Sequence, residues 1–354
     1  MAALGRPPRL LVLRALGLGD LLTAVPALRA LADAFPTHRR LLACSRALAP
    51  LAALAGAVDE VIDAEPLQPL PVALKDVELA VNLHGRGPES HELLHLLHPE
   101  RLVAFACPAA GVSSGPHWRP HEHEVARWCR MLEESGIPAD PSRLDLPTPP
   151  IRVPARLRRL TIVHPGAAAP ARRWPAKRFA VVARAQALAG RRVAITGGRG
   201  ETALAHEVAR IAGLPNGAVL AGHTGLRDLA AMVAAAERVV CGDTGMAHLA
   251  TAMRTPSVVL FGPIPPSAWG PPSDRMLHRA LWAGRHGDPH GSHPNQGLLE
   301  IEVEEVLSAL DDLDRGSAAL APATARQVVA RGRSRELRAA RQPLQAPPRD
   351  RGGG

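Results

Sequence analysis

The sequence predicts two open α/β units in tandem, each a parallel sheet with helices on both faces. Three observations predict it. Short apolar runs recur along the chain, as strands buried on both faces do. Segments with helical apolar spacing separate them. Small-residue turns, rich in glycine, follow several of the runs. With 354 residues, 46% of them apolar and 21% charged, the chain has enough material for two cores of ordinary size.

The elements follow in order. Arg9 to Leu13 reads as a strand, Gly17-Leu18-Gly19 breaks it, and Leu21 to Phe35 has helical spacing that Pro36 stops. Leu41 to Cys44 is a strand, Arg46 to Leu54 a helix, Val58 to Ile62 a strand and Leu79 to Leu83 another. His123 to Ser135 forms an amphipathic helix closed by Gly136. The Pro- and Arg-rich stretch "IPADPSRLDLPTPPIRVPARLRR" then marks the boundary between a domain over 1–150 and one over 151–315. Alternation restarts with strands at Leu160 to His164, Arg192 to Thr196, Ala218 to Leu220, Val239 to Cys241 and Ser257 to Phe261. Helices fall at Ala176 to Leu188, Glu201 to Ala212, Leu226 to Ala235, Thr244 to Met253 and Val303 to Leu313. Residues 316–354 read as a low-complexity basic tail, disordered by composition.

Charge is local. The net +9 lies mostly in the segment from Arg315 onward, where nine Arg face only Glu336 and Asp350. A solvated tail is the simpler reading, and contact with anionic lipid is the alternative. Aromatic residues make up 3% of the chain and Tyr is absent, which argues against nucleic-acid recognition by stacking. Cys44, Cys107, Cys129 and Cys241 are widely spaced and fit neither a zinc site nor a disulfide framework, as a cytoplasmic protein would have them. The N-terminal apolar run is interrupted by Arg14 and Asp20, so no cleaved leader is expected. No apolar run is long enough for a transmembrane helix.

Three turns carry the chemistry. In "GDTGMAHLA", Asp243 closes a strand, Thr244 can cap the next helix, and Gly245 lies in its first turn, where free N–H groups attract phosphate. Asp243 can accept hydrogen bonds from sugar hydroxyls, and His248 can reach a phosphate or hydroxyl. An aspartic protease shares the Asp-Thr-Gly tripeptide, but that chemistry needs two carboxylates and this chain has one copy in an α/β setting. In "HPGAAAPARRWPAKRFA", a small-residue turn precedes Arg172 and Arg173, which makes an anion site. In "RALGLGDLL", Asp20 stands at a helix start, able to cap it and also to take a proton. The Gly-x-Gly there is an incomplete dinucleotide fingerprint, so an oxidoreductase is the weaker reading. "TGGRGE" places Glu201 where it can bond a ribose. His91, His95 and His98 share a helix face, but leucines fill the rest of it and no carboxylate supports them, so no metal site is expected.

Together "GDLLTAVPALRAL", "HPGA…RRWPAKRFA", "ITGG…E" and "GDTGMAHLATAMRTPSVVLFGPIPPSAWGP" resemble glycosyltransferase family 9, the ADP-heptose heptosyltransferases, from Arg9 to about Leu313. The resemblance implies a GT-B fold, two Rossmann-like domains with the active site in the cleft between them. It implies inverting transfer of a sugar, heptose foremost, from an ADP-sugar donor to a glycan or glycoconjugate hydroxyl, without metal or cofactor. The 1–150 domain would bind the acceptor and the 151–315 domain the donor. Asp20 matches the catalytic base, Arg172 the cation that holds the donor phosphates, and Glu201 a ribose contact. Thr224, Asp243, Thr244, Gly245 and His248 complete the implied donor set. The implied setting is the cytoplasm, with peripheral contact at the inner membrane face. A nucleotide-sugar binder without catalysis, or with another donor, is the alternative, because Ala167 to Ala169 stand where lipopolysaccharide members of the family have hydroxyl residues.

Overall fold

The computed structural model describes residues 7–320. The first sheet holds β1 (Arg9–Leu13), β2 (Arg39–Cys44), β3 (Glu60–Asp63), β4 (Leu79–Asn82) and β5 (Arg101–Val103), all parallel, in the order β3-β2-β1-β4-β5. Helices α1 (Leu18–Ala34), α2 (Ala49–Leu54), α3 (Glu89–His95) and α4 (Glu124–Glu134) accompany it. The second sheet holds β6 (Leu160–His164), β7 (Arg192–Ile195), β8 (Arg238–Gly242), β9 (Ser257–Phe261) and β10 (His278–Trp282), again parallel, in the order β10-β9-β8-β6-β7. With it come α5 (Ala176–Leu188), α6 (Thr202–Ala212), α7 (Leu226–Ala234), α8 (Gly245–Ala252), α9 (Pro266–Trp269), α10 (Gln296–Glu300) and α11 (Val303–Leu320).

Both sheets start at an interior strand, β1 and β6, run to one edge and cross back to the other side. Switch points therefore fall between β1 and β4 and between β6 and β8. Turns after neighbouring strands diverge there, which opens a crevice at the carboxyl ends. Registers of Leu13 with Asn82 and of His164 with Cys241 bring those ends level. The turns that carry Asp20, Arg172 and Asp243 all leave from these strands.

One apolar cluster runs from sheet to sheet. Leu21, Leu22, Val25 and Leu28 of α1 join Met246, Leu249 and Ala250 of α8 in it, together with strand residues of both sheets. Each of the Leu, Val and Met side chains contributes about 1.5–3 kcal/mol on full burial. The starts of α1 and α8 meet so closely that a Cβ on Gly19 would stand 2.8 Å from the His248 ring, and one on Gly245 would stand 2.8 Å from the Leu18 Cβ. These two glycines let two helix N-termini reach one place. The segment linking the sheets is pinned to α8, with Leu146 N donating to the Ala252 carbonyl at 2.8 Å.

Several boundaries differ from expectation. The third strand begins at Glu60, not Val58, and Ala218 to Leu220 forms only a single bridge, Ile195 with Val219. Strands β5 and β10 went unread because "RLV" is short and "HRALW" is a half-exposed sheet edge carrying His and Arg. The last helix runs past Leu313 to Leu320, into the stretch assigned to the tail. The remainder of that tail lies outside the described residues. Among the described residues no helix is long and apolar enough to cross a membrane.

Candidate active site between the two sheets

A cavity of about 560 Å³ opens between the carboxyl ends of the two sheets. Its first wall is the turn Leu16 to Asp20; its second is built from Ala168, Arg172, Asp243, Thr244, Gly245 and His248, with Ile264, Trp269, Pro289 and His290 at the sides. Six of the eight residues singled out from the sequence thus share one cavity.

Asp20 braces the helix start, as its position suggested, and its side chain also stands at the cavity. As the third residue of α1 it accepts a hydrogen bond from Gly17 N at 3.1 Å, and it also lines the cavity. Burial raises its pKa, the Arg14 guanidinium lowers it by a smaller amount, and the Glu124 carboxylate raises it further.

On the opposite wall, Arg172 ends a turn that begins at Pro170. One terminal nitrogen reaches the Asp243 carbonyl at 3.5 Å, and its buried Nε has no partner among the described residues. Arg173 turns away and donates to the Ala167 carbonyl at 2.9 Å, so the expected basic pair supplies one cation to the cavity and one brace to the alanine turn. Asp243 is 6% exposed. Burial lifts its pKa to about 6 against the pull of Arg172. Thr244 caps α8, its Oγ1 accepting from Met246 N at 3.3 Å, which leaves the helix start facing the cavity. His248 packs edge-on against Trp269, with ring centroids 5.7 Å apart. Enclosure lowers its pKa to about 4, so the imidazole is neutral near pH 7.

Glu201 and Thr224 do not line this cavity. Glu201 accepts from Gly198 N at 2.7 Å and lies against Gly166, beyond the alanine turn. Thr224 is half-buried just before α7. Of the histidines weighed as metal ligands, His91 is spoken for: its Nε2 bonds the Phe105 carbonyl at 2.8 Å and its Nδ1 the Asn82 amide at 3.0 Å. Among the described residues no three His, Cys, Asp or Glu side chains cluster as a metal site.

Sequence reasoning missed His290 and Trp269 as lining residues. The 288–295 segment is fastened to the turn bearing Arg172 by two backbone bonds, Ala171 N to the Gly291 carbonyl and Asn295 N to the Ala171 carbonyl, both 3.1 Å. No local pattern announces such a contact. Trp269 stood inside a recognised motif and could have been found there. His123, the first residue of the expected helix, caps α4, and its Nε2 bonds the Gly270 carbonyl at 3.0 Å, beside Trp269.

Two facing parallel sheets with a cavity between their carboxyl ends are the arrangement of the GT-B class of glycosyltransferase folds. Two solved structures agree over nearly their whole length. An ADP-heptose lipopolysaccharide heptosyltransferase II from Escherichia coli aligns with TM-score 0.68 at 22% identity, over 86% of this chain and 98% of that one. A family 9 glycosyltransferase from Veillonella parvula aligns with TM-score 0.71 at 21% identity, over 86% and 97%. Residues 117–286 match the model of glycosyltransferase family 9 (heptosyltransferase). Lipooligosaccharide heptosyltransferase 2 of Haemophilus influenzae is 32% identical over 154 residues, 41% of this chain and 44% of that protein. The matched region spans less than half the length of that curated relative. Over residues 117–286 the chain is similar to the heptosyltransferases of glycosyltransferase family 9.

Proposed function

We propose that the chain transfers heptose from ADP-heptose to a hydroxyl of a lipopolysaccharide-type glycan, with inversion at the anomeric carbon. The observation that carries this reading is the pairing of Asp20 and Arg172 on opposite walls of one cavity, with Asp243 and the start of α8 beside Arg172. The sugar and acceptor follow the names of the relatives; the roles follow the resemblance of the motifs, and the shared cavity supports them.

In a single displacement, the acceptor oxygen bonds the anomeric carbon as the bond to the diphosphate oxygen breaks. Asp20 takes the acceptor proton, and its raised pKa makes it a stronger base than an exposed carboxylate. ADP leaves with the electron pair. Arg172 and the N–H groups at the start of α8 stabilise that charge in an enclosed site, where such contacts are worth several kcal/mol. Asp243, mostly ionised near neutral pH, accepts from sugar hydroxyls. Neutral His248 has one N–H to donate to a phosphate or hydroxyl oxygen. Glu201, and Thr224 with it, would meet the nucleoside end of a donor that reaches past the alanine turn.

The test is incubation of the full chain with ADP-heptose and a heptose-deficient lipopolysaccharide core. Acceptor-dependent ADP release, a mass gain of one heptose, and an inverted anomeric proton signal are expected. Tight ADP-heptose binding without transfer to any glycan would instead favour the nucleotide-sugar binder that the Ala167 to Ala169 turn suggests.

A further inference from the structure

A group of buried charges lies behind the Asp20 wall. Arg14, just past the end of β1, is 1% exposed. Its Nε donates to the Asp20 carbonyl at 3.0 Å, and one terminal nitrogen lies 3.4 Å from the Asp20 carboxylate. That nitrogen is closer to Glu124, 2.9 Å away, and also reaches Thr23 Oγ1 at 3.3 Å; the other donates to the Leu83 carbonyl. The guanidinium lies 4.8 Å from the centre of the Trp128 ring. Glu124, 4% exposed at the start of α4, is held in turn by Trp128 Nε1 at 2.8 Å and by Arg127.

Buried ion pairs are weak contributors to stability, because desolvation offsets their attraction. This one spans 110 residues of chain and touches the carboxylate read as the base. We propose that Arg14 and Glu124 are a positioning pair for Asp20: Arg14 fixes where the carboxylate points, and Glu124, by taking Arg14's shorter contact, keeps that carboxylate basic. The proposal rests on the reading of Asp20 given above.

Other charged or titratable groups around this wall are His84 at the end of β4, His123 on the α4 start, and Arg172, Asp243, His248 and His290 across the cavity. His84 and His248 are both held neutral, with pKa values lowered to about 4 by burial. Arg14 and Glu124 act on Asp20 in opposite directions, so removing each has its own signature.

The test follows the Asp20 carboxyl carbon by NMR in the full chain labelled at aspartate, assigned by its loss in Asp20→Asn. In Glu124→Gln, an isosteric change, the Asp20 titration moves to lower pH. In Arg14→Met it moves to higher pH, and Arg14→Lys brings it back toward wild type. Transfer assays should follow: the acid limb of kcat moves in the same directions, with kcat down about 100-fold in Arg14→Met and KM for ADP-heptose within about twofold. If Arg14→Met does not fold, the Glu124→Gln titration decides alone. No shift in Glu124→Gln, or a shift upward, overturns the proposal. Titrations that shift as expected in a chain that transfers nothing would instead count against the activity and leave the pair standing.

Discussion

The two walls of the cavity are built on opposite principles. Asp20 is bonded to Gly17 and lies beside Arg14, which is itself held by Glu124, Thr23 and Leu83. Arg172 has one long contact, to a carbonyl, and a buried Nε without a partner among the described residues. A buried donor without a partner costs about 1–3 kcal/mol, and a diphosphate would satisfy it. The first wall is arranged to hold a group still, the second to receive charge. That is the division expected of a base and an anion site.

Four substitutions test the contrast, in order of expected effect. Asp20→Asn removes the proposed base and should lower kcat by about 10²–10⁴-fold, while ADP affinity measured by calorimetry should change little. Loss of ADP binding would place Asp20 on the wrong wall.

Asp243→Asn sharpens the electrostatics of the second wall. The carboxyl pKa is raised from 3.8 to about 6 by burial, so the folded state binds more protons than the unfolded state between those values. The resulting stability is complete below pH 3.8 and is lost as pH rises through about 6. An amide has no such penalty. The variant should therefore gain on wild type by about 3 kcal/mol between acid and neutral pH, read by denaturant melts at both. His248 titrates with the opposite sign but is common to both proteins and cancels. A stability difference independent of pH would refute the raised pKa.

Arg172→Ala should weaken ADP binding by about 10- to 100-fold, the worth of a hydrogen bond to a charged group, with the binding measured by calorimetry. Unchanged affinity would move the phosphate site elsewhere in the cavity. The smallest effect is expected from Ala168→Ser, which adds a hydroxyl to the second wall. One new hydrogen bond of about 0.5–1.5 kcal/mol should tighten ADP binding by a few-fold; weaker binding would mean that the diphosphate does not pass the alanine turn.

Much of this site was legible in the sequence because its chemistry sits in local motifs. Asp243, Thr244 and Gly245 are consecutive, and the strand-turn-helix pattern alone places them at a carboxyl end with a capped helix start. Asp20 and Arg172 were found the same way. Less legible were residues whose role depends on partners far along the chain. Arg14 first counted only as a charge interrupting an apolar run, and Glu124 only as one residue of the amphipathic helix from His123 to Ser135; they meet across 110 residues. His290 reaches the cavity through a segment with no regular pattern. Arg172 and Arg173 look equivalent in sequence, and backbone geometry alone sends one inward and the other to the Ala167 carbonyl.

The sequence by itself determined the parallel sheets, their turns and the residue types offered at each strand end, because apolar period, glycine and capping act over a few residues. Only the tertiary structure decided which of those ends share a cavity. That depends on α1 and α8 packing start to start, which Gly19 and Gly245 permit, and on a common core joining the sheets. It also decided the charge state of the site. Burial shifts the pKa of Asp20, Asp243 and His248, and desolvation is a property of the folded surroundings rather than of any segment.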